Sequence, residues 1–366
     1  MHLAFVVVAV VFCLLAGPTA QAGETDPHYA WLHPPNDATA ALNDAIAGEM
    51  AVGLSAANER ADRASLTCRD AAAAMTARLS QTAHWFFLSS LAGWGVPRSP
   101  GNSSEYFGRF REESTYRYAA LLPFGSFVPL DPAVAVNGVL FGTDKIGHFF
   151  TAGLRYYDRY TNERQRGATH EDAERAALLV GIGEESGVLG RCASGIFSYA
   201  DLEANYQGLR FYQQLCDGSD GSDGSAPQLA FVGDNAASQR WRLILPFDLA
   251  RFVTPCWDES FYPSAYGDLD RDAVRRAMRG YCARWRTPVV QKRRALYRQR
   301  GCQSFSVAAL REMISKHTTP DPSPFAIDEL CHKAGAPEAK AEEKPSPGQP
   351  DTVGPGASFS IQPVGR

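Results

Sequence analysis

The sequence predicts a mainly α-helical fold, a soluble multi-helix bundle with irregular loops and a disordered C-terminal tail. Three observations carry this expectation. Apolar residues recur at helical spacing in several segments, strand signals are sparse, and residues 334–366 hold six prolines and five glycines. A chain of 366 residues with 45% hydrophobic and 21% charged residues has enough apolar material for a sizeable core. That composition excludes wholesale disorder and a small cysteine-stapled scaffold. A net charge of −4 excludes a polycation built for nucleic acid.

Residues 1–22 read as a signal peptide. The apolar run LAFVVVAVVFCLLA over 3–16 is ended by Gly17 and Pro18 and followed by Ala20-Gln21-Ala22, an A-x-A cleavage pattern. The run falls short of the about 20 residues that a comfortable span needs. Gly and Pro interrupt the later apolar candidates at 85–96 and 119–130. The expectation is a periplasmic or secreted protein with no integral membrane span after signal cleavage. Seven cysteines follow Cys13: Cys68, Cys192, Cys216, Cys256, Cys282, Cys302 and Cys331. In an oxidising compartment they predict two or three disulfides and at least one free thiol, with connectivity open. No C-x-x-C occurs, which argues against a thioredoxin-like site or a zinc ribbon.

Residues 23–130 form an N-terminal helical region. Its Ala-rich part, 37–93, predicts two or three helices, one ending at Trp85-Phe86-Phe87, and 94–130 reads as irregular. His28 and His33 lie in a Pro-rich segment and His84 among aromatics, so packing or tag-like roles are expected. Residues 131–216 form a core of three helices, near Thr143–Arg164, 170–189 and Ser198–Leu215. DGSDGSDGSAP at 217–227 is a flexible loop, because a calcium loop needs ligands at alternate positions and these aspartates recur every three.

Residues 228–333 form a C-terminal helical region broken by Pro246, Pro255, Pro263 and Pro288. There Asp268, Asp270 and Asp272 alternate, yet Ala273 and Arg279 stand where a calcium loop needs Gly and Glu, so the aspartates read as cap and first-turn residues. Between Arg271 and Arg300 lie eleven Lys or Arg and one acid, a segment of +10 in a chain whose remainder is −14. Such a stretch suits docking onto an anionic envelope lipid or polymer. Tyr281, Cys282, Trp285 and Leu296 favour the plainer reading, a solvated face with a buried side. Nucleic acid is not an expected partner of an exported protein.

The three core helices concentrate the polar chemistry. Asp144 and His148 are four apart and share a helix face, beside Lys145. Thr143 or Asp144 can cap the helix start, where free backbone N–H groups and Lys145 suit an anion. The second helix carries Gly181, Gly183 and Gly187 around Glu184-Glu185. Interior helical glycine costs about 1 kcal/mol, so close approach of another backbone or a ligand is expected, with one of the two glutamates facing inward. In the third helix Asp201, Asn205 and Gly208 form one stripe at i, i+4 and i+7.

These motifs, Asp144-Lys145-x-x-His148-Phe149, a central Glu, and Phe197-Ser198-x-x-Asp201-Leu202-x-Ala204-Asn205-x-x-Gly208, resemble the VanZ-like families and more closely the exported YfiM-like proteins. The resemblance covers about 143–212 and implies a helical domain with these polar residues inside. It supplies no established reaction.

The expected function is an exported cell-envelope protein, helical, structural or binding, with a buried Asp/Lys/His/Glu/Asn cluster. Buried polar groups are normally paired, so such a cluster needs no catalysis to explain it. The alternative is a metal- or acid/base-dependent hydrolase acting on an envelope lipid or glycan. Its catalytic set would be Asp144, Lys145, His148, Glu185, Asp201 and Asn205. A divalent metal ion would sit on His148, Glu184 and Asp201 with an open position for water, and Lys145 would hold an anionic group. The sequence has no Gly-rich nucleotide loop, G-x-S-x-G elbow or H-E-x-x-H.

Overall fold

The computed structural model describes residues 26, 28–60, 63–82, 114–115, 133–187, 190–191, 195–218, 226–235, 238–267 and 271–333. The signal peptide, His84, Trp85-Phe86-Phe87, nearly all of 94–130, Cys192, most of the 217–227 loop, Asp268, Asp270 and the tail lie outside them. The fold is mainly α, and among the described residues strands occur only in small pairs. Among the described residues no helix is long and apolar enough to cross a membrane.

Helix α1 (Thr39–Glu59) buries Leu42, Ile46, Met50, Gly53 and Ala57, spaced three or four apart on one face. It packs on α2 (Cys68–Thr82). Gly53 makes that crossing close, since a Cβ there would lie 2.6 Å from the Met75 carbonyl oxygen. Strands β1 (Ala133–Val136) and β2 (Val139–Gly142) then form an antiparallel hairpin. Its turn is Asn137-Gly138, both at positive φ, the pair that a two-residue hairpin turn favours. The hairpin delivers the chain directly into α3.

Helix α3 runs through Asp144–Gly147, a π-helical turn at His148–Ala152, and Gly153–Gln165. Helix α4 (His170–Ser186) starts where Thr169 accepts the Asp172 N–H, with Glu171 and Asp172 in its first turn. A two-residue strand β3 (Ile196–Phe197) leads into α5 (Tyr199–Cys216). Fifteen of the eighteen α5 residues are buried, which makes it the central helix. α3 packs against both α4 and α5.

Strands β4 (Leu229–Val232) and β5 (Arg240–Leu243) form a second hairpin, and β6 (Ala265–Tyr266) pairs with β3. The C-terminal helices are α6 (Arg271–Gly280), α7 (Cys282–Trp285), α8 (Pro288–Arg300), α9 (Phe305–Ser315) and α10 (Ile327–Lys333). One apolar cluster gathers α1 to α5 around Phe149, Phe211, Phe252 and Trp257. A second joins Trp31, Met278, Phe325 and Leu330. Three disulfides, Cys68–Cys216, Cys256–Cys302 and Cys282–Cys331, tie the two regions internally.

The basic stretch does have a buried side. Tyr281, Cys282 and Trp285 are buried, and Arg294 is inserted between Trp31 and Phe261 with its guanidinium on Asp328. Leu296 departs from expectation: it is 42% exposed, because Arg294 and Tyr297 take the inward face of α8. Pro288 opens α8, as its fixed φ suits the first helical turn, and Asp272 sits in the first turn of α6. His28 is a packing residue, buried and stacked on Tyr281.

Candidate functional site

The site is built on the start of α3. Thr143 occupies the N-cap position, but no side chain caps the helix, contrary to expectation. Thr143 has helical rather than extended backbone angles, and the Asp144 carboxylate is turned onto Lys145. Lys145 is 0% exposed, and three carboxylates, those of Asp144, Asp201 (2.5 Å) and Glu259 (2.5 Å), converge on its Nζ. Three carboxylates match the three N–H donors of an ammonium. Lys145 is therefore committed within the protein, and its expected role of holding an anionic ligand does not fit this geometry.

His148 lies one turn further, on the same face as Asp144, where the π-helical turn begins. Its Nδ1 is 3.0 Å from Asn205 Oδ1. Asn205 directs its Nδ2 at the Tyr156 hydroxyl, so its Oδ1 accepts the Nδ1–H of His148. Nε2 then faces Asp201 Oδ2 at 3.2 Å. A ring nitrogen lone pair and a carboxylate oxygen at that separation need a cation between them, either a proton or a metal ion.

Asp144, His148 and Asp201 each offer one ligand atom, and the three atoms lie within 4.8 Å of one another. Asp144 Oδ1 is buried without a hydrogen-bond partner, which leaves it available to such a cation. The group could thus bind a metal ion through two carboxylate oxygens and one imidazole nitrogen. Side-chain exposure of His148 is 13%, the largest of the three.

Ser198 knits the periphery. As the N-cap of α5 its Oγ accepts the Asp201 N–H and donates to Glu259 Oε1 at 3.0 Å, while its N–H donates to Glu185 Oε2 at 3.1 Å. Burial pushes the carboxyls of Glu185 and Glu259 well above the usual range, reinforced by Asp201 for Glu185 and by Asp26 for Glu259. Burial also raises Asp144, against the lowering influence of Lys145.

The structure brings together Asp144, Lys145, His148, Glu185, Asp201 and Asn205. It does not bring in Glu184. That carboxylate is held by Arg155 through two hydrogen bonds of 3.0 Å, and its place in the candidate ligand set is taken by Asp144. The helical reason is direct: adjacent residues are about 100° apart on a helix, so only Glu185 can face inward. Glu259 and Tyr156 were not expected. The only sequence signal for Glu259 is an acid pair, Asp258-Glu259, set in the aromatic run CWDESFY.

The glycines split. A Cβ on Gly181 would overlap the Tyr156 hydroxyl, and one on Gly208 would overlap the Phe149 carbonyl, so both allow close packing at the site. Gly183 has open space beside it and does not meet that expectation. Compared with protein-family models, curated proteins and solved structures, the chain matches none.

Proposed function

We propose that this is an exported cell-envelope protein, structural or binding in role, whose three central helices are locked by the buried Asp/Lys/His/Glu/Asn cluster and completed by a divalent metal ion. The observation that carries the metal is the pairing of His148 Nε2 with Asp201 Oδ2 while Nδ1 is held by Asn205, next to the unpartnered buried Asp144 Oδ1. An imidazole with two carboxylates suits zinc, manganese or ferrous iron. Asn205 would orient the ring as outer partners of metal-bound histidines do. Export is supported by the apolar N-terminal run with its A-x-A end and by the three disulfides. The motif order resembling YfiM-like proteins agrees with this reading.

A second reading, a hydrolase of envelope lipids or glycans, is favoured by one feature. Three protein ligands leave coordination positions for water, as in catalytic metal sites. The burial of Lys145 favours the structural role.

The test is metal content by plasma mass spectrometry on the chain produced in an oxidising compartment, beside His148→Ala and Asp201→Ala. The expected result is one near-stoichiometric divalent metal, lost in both folded variants. A metal-free wild type overturns the proposal. Turnover of phosphoester or glycan substrates by wild type but not by His148→Ala would move the function to the hydrolase.

A further inference from the structure

Away from the ion cluster, α1, α2 and the segment after β5 enclose a half-open groove of about 480 Å3. That volume falls in the range of small-molecule sites, roughly 300–1,000 Å3. Its floor is apolar: Met50, Met75, Trp241 and Phe247 are all buried. Methionine side chains adapt to irregular apolar ligands. Ala47 and Ala51 keep the α1 wall low, since larger side chains at these exposed positions would stand in the opening.

Two charges sit on the lining. Asp44 belongs to α1 and Arg242 to β5, both are exposed, and neither has an ion pair among the described residues. Just past β5, between the lining residues Leu243 and Pro246, Ile244 and Leu245 are 53% and 48% exposed. Large apolar side chains left in water beside an apolar groove mark a binding surface.

We propose that this groove binds the acyl chain of a zwitterionic phospholipid, with the phosphate at Arg242 and the head-group ammonium at Asp44. The volume suits one flexible chain, and the two opposite charges on the lining fit a zwitterion, which a purely anionic amphiphile would not match. Ile244 and Leu245 form the apolar edge that a lipid leaving or entering a bilayer would cross. This inference goes beyond the proposed function and does not depend on metal at His148.

The test is calorimetric titration of the full chain with a lysophosphatidylethanolamine carrying a 16-carbon chain, below its micelle concentration, with lysophosphatidylglycerol of the same chain for comparison. Saturable binding at one site, tighter for the ethanolamine lipid, is expected. Ala51→Trp fills the groove from an exposed helix position and should abolish binding, with circular dichroism confirming the fold. Arg242→Glu should weaken both lipids at least tenfold. Asp44→Ala should remove the preference for ethanolamine. Binding unchanged in Ala51→Trp means adsorption elsewhere and overturns the proposal, as does absence of saturable binding by wild type. Loss of binding in Ala51→Trp with no effect of Arg242→Glu or Asp44→Ala overturns the reading of the head group.

Discussion

Lys145 is the residue on which the electrostatics of the cluster turn. Without its ammonium, Asp144, Asp201 and Glu259 would face one another in a site closed to water. Lys145→Met is therefore expected to lose roughly 3–5 kcal/mol of unfolding free energy, measured by urea denaturation, because uncompensated buried charge is what breaking such a pair leaves behind. At the same scale, two other buried groups give opposite pH dependences. Burial pushes the Asp26 carboxyl up to about 7, so the folded chain keeps a proton that the unfolded chain releases. Its stabilising contribution is full below about pH 4 and is lost as pH rises through about 7. Burial pushes the His28 imidazole down to about 3, helped by Arg294 and Arg284. Its contribution is present above about 6.5 and is lost as pH falls toward 3. Relative to wild type, Asp26→Asn should gain stability as pH is raised from about 4 to about 7. His28→Phe should gain as pH is lowered through the range below about 6.5. Urea midpoints across that range read both, and parallel wild-type and variant profiles would contradict the assigned protonation states.

At the scale of elements, α3 and α5 meet through two glycines. A Cβ on Gly153 would lie 2.6 Å from the Gly208 Cα, and one on Gly208 would strike the Phe149 carbonyl. Both neighbours are backbone and cannot swing away, so the helices would have to separate. Gly208→Ala is expected to cost about 3 kcal/mol in chemical denaturation, at the upper end for overpacking. Gly183→Ala, in the α4 interior with nothing near, should instead stabilise by up to about 1 kcal/mol. Element identity was largely readable. The three core helices occur where periodicity puts them, while the caps differ: Thr169 and Ser198 cap α4 and α5, and the cap expected from Thr143 or Asp144 on α3 is absent. The β1–β2 hairpin departs from the helical core expected over 131–216, and the sequence signal for it is Asn137-Gly138 between AVAV and VLFG. The π-helical turn at His148 carried no such signal, because it depends on how α3 packs against α5.

At the scale of the whole molecule, the disulfides close long stretches of chain. Cys68 and Cys216 are 148 residues apart, Cys256 and Cys302 46, and Cys282 and Cys331 49. Loop-closure entropy assigns about 5 kcal/mol to the first and about 4 kcal/mol to each of the others. The double variant Cys68→Ser with Cys216→Ser should show the largest drop in urea midpoint of the three paired removals, and an equal drop for all three would argue against an entropic origin.

The sequence by itself determined the mainly helical class, the placement of the core helices and the set of polar residues they carry. Each of these is written in neighbouring positions, through the 3.6-residue period and the i, i+4 spacing of Asp144 with His148 and of Asp201 with Asn205. Only the tertiary structure decided that Glu259 joins Lys145, that Arg155 removes Glu184 from the candidate metal group, and which cysteines pair. Those choices rest on contacts between residues far apart in sequence. Burial of Lys145 demands a partner such as Glu259, while the Arg155–Glu184 pair and the disulfides depend on which side chains the packed helices bring side by side, and no local pattern encodes that.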